Sequence, residues 1–277
     1  MPAEPEIIEN APIPTWFGVG GAADRLCRPS TNERLAAIVR TGEAIRVLGD
    51  GANLLVDDDG VGGIVLDTAG LGDVEIDTEN AVVRAGAGVR LPTLITRTVR
   101  EGLGGLEVLA GIPASVGGAA VMNAGGRFGS MADCVSAVEV VRPDGSVERV
   151  ERSQIAFGYR ASGLGVGIGD GGGVVVAVEF ALEPDDPAAR RARLKECMAY
   201  KKDSQPMSAA SAGCCFKTPT LPEPVDGIGD RGERVSAGML IARAGCKGLR
   251  VGGAQVSGAR AYFLVTESGA RARAVLE

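Results

Sequence analysis

The chain has 277 residues, 45% hydrophobic and 23% charged, enough to bury a substantial core in one large or two modest domains rather than to remain disordered. It contains no histidine, so no Ser-His-Asp or Cys-His nucleophile, no histidine-ligated zinc and no imidazole base operates within it, and no resident metal is expected. Twenty-nine basic against thirty-five acidic residues leave a net charge of −6; this suits a soluble protein with no global attraction to nucleic acid or anionic membrane, so an anionic ligand must be held locally.

The N-terminal stretch MPAEPEIIENAPIP is acidic and proline-rich and lacks both a basic and an apolar leader segment, so no signal peptide is read there. Ser30-Thr-Asn-Glu33 predicts a capping box opening a helix through LAAIVR to Gly42. IRVLG (45–49) and GIVLD (63–67) predict buried strands, which makes the first region a small α/β layer. VEIDTENAVVRAGAG, from residue 74, predicts a hairpin, and LPTLITRTVREG a helix with Pro92 in its first turn and Gly102 at its end. The clearest hairpin is VSAVEVVRPDGSVERVE (135–151), where Pro-Asp-Gly separates two alternating runs. A strand VVVAVEFAL (174–182) and a charged helix DPAARRARLKECMAYKKD follow. The remainder mixes a helix, SAGMLIARAG, with strands around VGGAQVS and YFLVTES. Gly163 to Gly173 has GxGxGxG spacing, but a strand follows it and none precedes it, so it reads as a loop and not as a dinucleotide fingerprint. The six cysteines, Cys27, Cys134, Cys197, Cys214, Cys215 and Cys246, form no CxxC pair and fit a reducing compartment.

Four segments carry residue types with chemical potential. Gly49-Asp-Gly-Ala-Asn53-Leu54 follows a strand, and its consecutive unhindered N–H groups suit either a phosphate-binding nest or an ordinary glycine turn. Val108 to Gly126 is uncharged but holds five glycines and a proline, so it reads as backbone shaped around a ligand, or packed on itself, rather than as a membrane span. Phe157-Gly-Tyr159-Arg160-Ala-Ser162 pairs a phenol with a guanidinium that can clamp a carboxylate; the alternative is a surface arginine beside a half-buried tyrosine. Ser211-Ala-Gly-Cys214-Cys215-Phe-Lys217 presents a thiol after a glycine, able to donate a proton or simply to pack as a small hydrophobe.

In order and spacing these segments resemble the UDP-N-acetylenolpyruvoylglucosamine reductases, the MurB family. TWFGVGG (15–21), GDGANLLV (49–56), AGAGVRLP (85–92), GLEVLAGIPASVGGAAVMNAGG (105–126), FGYRAS (157–162), KDSQP (202–206), SAGCCFK (211–217), AGCKGLRVGGAQVS (244–257) and the final GARARAVL all take part. The resemblance implies an α+β fold: a two-subdomain FAD-binding region of the vanillyl-alcohol oxidase type (1–72 and 73–188), then a smaller α+β substrate-binding domain (189–277). It also implies FAD as cofactor and NADPH as co-substrate in a cytoplasmic, monomeric enzyme of peptidoglycan precursor synthesis that acts on a nucleotide sugar. Flavin contacts are expected from Gly49, Asp50, Gly51, Ala52, Asn53 and Leu54, and from Gly111, Ile112, Pro113, Ser115, Val116, Gly117, Gly118, Asn123, Ala124 and Gly125.

By the same resemblance NADPH reduces the flavin, hydride passes to the enolpyruvyl double bond, Arg160 stabilises the enolate that develops, and a proton is delivered by Cys214. A serine usually stands at that position; a thiol is the better acid but oxidises more readily. Tyr159, Lys217, Lys247 and Gln255 are expected to face the substrate. The asparagine usual after Lys217 is Thr218 here, and Arg260 and Tyr262 replace a usual histidine and asparagine, which makes the substrate grip less certain than the flavin grip. The family pattern continues to a third catalytic residue, a glutamate, which Glu277 falls too early to supply. The alternative function is therefore a catalytically impaired flavin- and nucleotide-binding homologue. An oxygen-using oxidase is a further reading, and its covalent-histidine forms are excluded by composition.

Overall fold

A computed structural model describes residues 7–165, 172–204 and 209–277. The chain divides into two units: Met1–Pro12, Ala22–Asp50 and Val61–Asp203 form the first, and Ile13–Gly21, Gly51–Gly60 and Ser204–Glu277 the second. The second therefore takes two short segments from the N-terminal quarter of the sequence, which no composition shift marks.

The first unit holds a four-stranded sheet of β1 (Ile7–Pro12), β2 (Ala22–Cys27), β3 (Ile45–Leu48) and β4 (Val61–Asp67), ordered β1-β2-β4-β3. β1 is antiparallel to β2, while β4 runs parallel to both β2 and β3. Parallel neighbours need a crossover, and α1 (Asn32–Val39) lies in the connection from β2 to β3, burying Leu35, Ala36, Ile38 and Val39. Its cap is Thr31, whose Oγ1 accepts from Arg34 N at 3.3 Å, not Ser30 as the sequence suggested. Ser30 instead accepts from the Arg34 guanidinium at 3.0 Å. Strands β1 and β2 were not foreseen, because β1 exposes nearly every side chain and so lacks the alternation that marks a strand.

A five-stranded antiparallel sheet follows: β5 (Val74–Asp77), β6 (Val82–Gly86), β8 (Val135–Val141), β9 (Val147–Glu151) and β10 (Val174–Ala181), ordered β5-β6-β10-β8-β9. β10 is central, and Val174 to Val178 are buried, as expected of a strand covered on both faces. α2 (Leu91–Arg100) and α3 (Val116–Val121) contribute Leu91, Leu94, Ile95, Val116, Ala119 and Ala120 to the same core. The short β7 (Leu103–Gly104) pairs with β11 (Glu183–Pro184). α4 (Pro187–Ser204) is the charged helix read from the sequence. The expected domain boundary after residue 188 falls inside it; the first unit runs on to Asp203, because Leu194 packs on its core and Arg190 reaches into it. Six residues of the glycine-rich tract 163–173, and Gln205-Pro206 after the helix, lie outside the described residues.

The second unit contains α5 (Ala237–Arg243), capped by Ser236 Oγ accepting from Met239 N at 3.3 Å. Its sheet is β12 (Arg250–Val251), β13 (Ala254–Val256) and β14 (Leu264–Thr266) in that order, and α6 (Ala272–Leu276) closes the chain. A small core of Phe17, Val19, Ala212 and Ala272 explains why Ile13–Gly21 belongs here. Asp58 ties Gly51–Gly60 to α6: its two carboxylate oxygens accept from Ala272 N at 2.8 Å and Arg273 N at 3.1 Å.

Two predictions follow from these anchors. Glu107 is buried, accepts from Gly105 N at 2.6 Å and pairs with Arg190 at 2.9 Å. Removing one partner of a buried ion pair strands the other, so Arg190→Met is expected to cost on the order of 3 kcal/mol. Urea melts should show the double variant Arg190→Met/Glu107→Gln regaining most of that loss; an additive double variant refutes the pairing. In the second unit, the N–H of Ala272, then those of the Arg273 main chain and the neighbouring Arg271 and Arg273 charges, hold the Asp58 carboxyl below its ordinary value. A depressed carboxylate stabilises the fold above its unfolded pKa and loses that contribution as pH falls through the folded one. The protection of the Ala272 and Arg273 amides against exchange, relative to their intrinsic rates, should therefore fall below about pH 4, and Asp58→Ala should show the lowered protection at every pH.

Candidate active site

The glycine motifs of the first unit converge through close main-chain approach. At the end of β3, Leu48 O accepts from the buried Thr68 hydroxyl at 3.1 Å. A Cβ on Gly88 would lie 1.9 Å from Thr68 O, so only glycine lets the two segments meet. Next to it, Gly117 N donates to Ala87 O at 2.9 Å, and a Cβ on Gly117 would lie 2.7 Å from the Ala87 Cβ. One turn away, Ser115 caps α3 by accepting from Gly118 N at 3.2 Å. A Cβ on Gly49 would stand 2.4 Å from the same Ser115 Oγ. The ring of contacts thus runs from Leu48 through Thr68, Gly88, Ala87, Gly117 and Ser115 back to Gly49.

At the exit of this ring, the N–H groups of Gly49 and Asp50 donate to no acceptor among the described residues, and within the second unit those of Gly51 to Leu54 likewise donate to none. Backbone N–H groups rarely go unpaired unless water or a ligand takes them, and consecutive ones suit an anion. Gly51 has φ +66°, and a Cβ there would strike Pro14 O at 2.1 Å, so the turn requires glycine on two counts. Asp50 lies 3.4 Å from Arg90, while its buried Oδ2 has no protein partner. The donor run and the glycine approaches fit a dinucleotide whose phosphates meet main chain, while the orphaned carboxylate oxygen, an acceptor, suits a hydroxyl of such a ligand and not its phosphates.

The second stretch, Gly111 to Gly125, divides into two kinds of residue. Val116 N and Gly117 N are consumed by Val89 O at 2.8 Å and Ala87 O at 2.9 Å, so these residues shape the site through packing rather than through free donors. Gly111 has φ +74°, and its Cα side rests on the stem of the buried Lys201, whose Cγ would be 3.0 Å from a Cβ there. A Cβ on Gly126 would lie 3.5 Å from Lys201 Nζ. Sequence reasoning missed this buried lysine, because a lysine in a helix as charged as α4 normally faces water. Ile112, Pro113 and Ala124 flank the stretch, with Ile112 and Ala124 packed against the core.

Asn123, expected as a flavin contact, has both ends of its amide engaged elsewhere: Nδ2 donates to Gly158 O at 2.8 Å and Oδ1 accepts from Ala132 N at 3.1 Å. The Tyr159–Arg160 pair sits at the tip of a two-residue hairpin in which Gly158 and Ala161 exchange hydrogen bonds of 2.9 and 3.3 Å. Arg160 Nη2 donates to Gly125 O at 2.7 Å, and its guanidinium carbon stands 5.5 Å from the centre of the exposed Tyr159 ring. Ser162, unremarked in the sequence beyond its motif, donates to Val121 O at 2.7 Å.

In the second unit, Cys214 and Cys215 are exposed and follow Gly213 at φ +77°. Cys214 bridges to Phe263, and Cys215 N donates to Tyr262 O at 3.1 Å, so this strand-like stretch is pinned to the segment leading into β14. The Cys215 thiol is pushed up by loss of water around its sulfur, although the residue as a whole is exposed. Lys217 and Lys247 are exposed. Gln255, on β13, donates weakly to Gly248 O at 3.4 Å and accepts from Arg250 at 3.5 Å.

Residues 23–151 match the family model described as FAD binding domain, and residues 205–277 match that described as UDP-N-acetylenolpyruvoylglucosamine reductase, C-terminal domain. The UDP-N-acetylenolpyruvoylglucosamine reductase of Moorella thermoacetica is 38% identical over 98% of this chain and 85% of its own. That of Thermus thermophilus is 43% identical, over 95% of this chain and 89% of its own. Among solved structures, the UDP-N-acetylenolpyruvylglucosamine reductase (MurB) from Thermus caldophilus superposes with a TM-score of 0.80 at 39% identity, covering 99% of this chain and 92% of the other. With such identity sustained over nearly the whole length, the chain belongs to the UDP-N-acetylenolpyruvoylglucosamine reductase family.

Proposed function

We propose that this protein binds FAD and, with NADPH as electron source, reduces the enolpyruvyl group of UDP-N-acetylglucosamine enolpyruvate to UDP-N-acetylmuramate, a peptidoglycan precursor. The observation that carries the reading is the glycine-closed ring leading into the unpaired N–H groups of Gly49 to Leu54, on a chain of this family. FAD, when bound, supplies two-electron transfer from nicotinamide to the substrate double bond.

The chain's own residues bind, orient and move a proton. Main-chain donors from Gly49 to Leu54 take the pyrophosphate, and Gly111 to Gly118, with Ala124 and Gly125, cover the remainder of the cofactor. Arg160, held at Gly125 O through one nitrogen, keeps its other donors for the substrate carboxylate. Negative charge grows on that carboxylate as the double bond is reduced, and a guanidinium lowers the barrier there by pairing with it. Tyr159 orients the same group. The Cys214 thiol delivers the proton that completes the saturated product and becomes a thiolate until it is reprotonated from solvent. Lys217 and Lys247 meet the nucleotide diphosphate and Gln255 the pyruvyl oxygens. We read the enzyme as a cytoplasmic monomer that acts on a nucleotide sugar without nucleic acid; a sequence of six cysteines without a CxxC spacing supports the reducing compartment.

The purified protein should be yellow, bleach with NADPH in the absence of oxygen, and regain colour when the enolpyruvyl nucleotide is added. In stopped-flow traces, Cys214→Ala should slow that reoxidation by about 100-fold and Arg160→Ala by a similar factor, with reduction by NADPH unchanged in both. A Cys214→Ala protein reoxidising at the parental rate removes the thiol from the mechanism.

Thiol mapping gives an independent check. Burial, aided by the nearby Asp133, Glu107 and Glu183 carboxylates, pushes the Cys134 thiol up to about 12, and Cys27 and Cys197 are likewise buried. Iodoacetamide at pH 8 should therefore modify Cys214 first, Cys215 more slowly because its sulfur is desolvated, and spare these three until the chain is unfolded. The enolpyruvyl nucleotide should slow modification of the pair, and rapid native-state labelling of Cys134 contradicts its burial.

A further inference from the structure

We propose that Asn123 is a positioning residue for Arg160 rather than a flavin ligand: its amide clamps the Tyr159–Arg160 hairpin in the conformation that presents the guanidinium. The inference rests on the reading of Arg160 as the group facing the substrate carboxylate. Arg160 has φ +56°, in the left-handed region that an arginine adopts only when its surroundings impose it. At the second central position of a two-residue turn that conformation is normally supplied by glycine or asparagine. The hairpin is closed by the pair between Gly158 and Ala161 at 2.9 and 3.3 Å. What imposes the turn is the glycine stretch beneath it.

Asn123 is 8% exposed and itself has φ +41°, which asparagine tolerates better than other side chains do. This conformation directs its amide so that Nδ2 donates to Gly158 O, at the base of the hairpin, while Oδ1 accepts from Ala132 N on the following segment. One N–H of Nδ2 and one lone pair of Oδ1 are thus committed to main chain, on a residue only 8% exposed. Ser162 Oγ on Val121 O secures the other side of the turn, and Arg160 Nη2 on Gly125 O secures the tip. Asn123 therefore sets the height and tilt of the strained turn, and the arginine inherits its direction from it.

The test uses the full-length holoenzyme. Asn123→Asp keeps the size, the tolerance of positive φ and the acceptor for Ala132 N, but places an oxygen against Gly158 O. Asn123→Gly removes both bonds without introducing a charge and serves if the aspartate variant does not fold. Bound FAD, its visible spectrum and its reduction by NADPH should stay within about twofold of the parent. Reoxidation by the enolpyruvyl nucleotide should slow at least tenfold, and the Gly158 and Ala161 amides should exchange with solvent at least tenfold faster. Added to Arg160→Ala, either substitution should slow reoxidation by less than twofold more, because both act through one group. Loss of FAD or an altered flavin spectrum overturns the proposal and makes Asn123 a flavin ligand. Unchanged amide exchange, or a full additional slowing on Arg160→Ala, overturns it while leaving the Arg160 reading intact. If Arg160→Ala alone reoxidises at the parental rate, the reading of Arg160 fails, and the role assigned to Asn123 fails with it.

Discussion

Absence of a Cβ at a few glycines is the constraint on which the first unit depends. Gly88 against Thr68 and Gly117 against Ala87 are approaches that only glycine permits, and Gly49 against Ser115 is one that a larger residue permits only by moving the α3 cap hydroxyl; together they draw the end of β3, the turn after β4, the end of β6 and the start of α3 into one continuous contact. Such contacts contribute dispersion and exclude water, but their larger effect is geometric. They leave main-chain donors with nothing to bond to except what arrives from outside. A site built this way holds a phosphate without carrying a net positive charge, which reconciles an acidic chain with a polyanionic cofactor.

The hairpin at Tyr159–Arg160, which we propose faces the substrate carboxylate, extends the same logic. A flexible loop would leave the guanidinium free to wander, and the entropy of ordering it would count against every substrate-binding event. Here the turn is tied by Asn123, Ser162 and Arg160 itself to three carbonyls, Gly158 O, Val121 O and Gly125 O, two of which belong to the glycine stretch. Rigidity and strain therefore share a source, and the strained φ of Arg160 is carried by packing already required for the cofactor. In the second unit Cys214 and Cys215 are held differently, by strand-like pairing with the segment before β14.

The sequence by itself determined most of the elements, β1 and β2 excepted, and which motifs matter. Alternation around Pro143-Asp-Gly145 set the β8–β9 hairpin, the polar stripe after Asp185 set α4, and the spacing of GDGAN, AGAGVRLP and FGYRAS identified the family, because turn chemistry and hydrophobic period are local properties. Tertiary structure alone decided how those motifs divide their work. The assignment of Ile13–Gly21 and Gly51–Gly60 to the second unit, the burial of Lys201 against Gly111, and the engagement of both ends of the Asn123 amide all depend on partners far away in the chain. A residue's own neighbours in sequence say what it can bond to; only packing says which of its bonding groups are already taken.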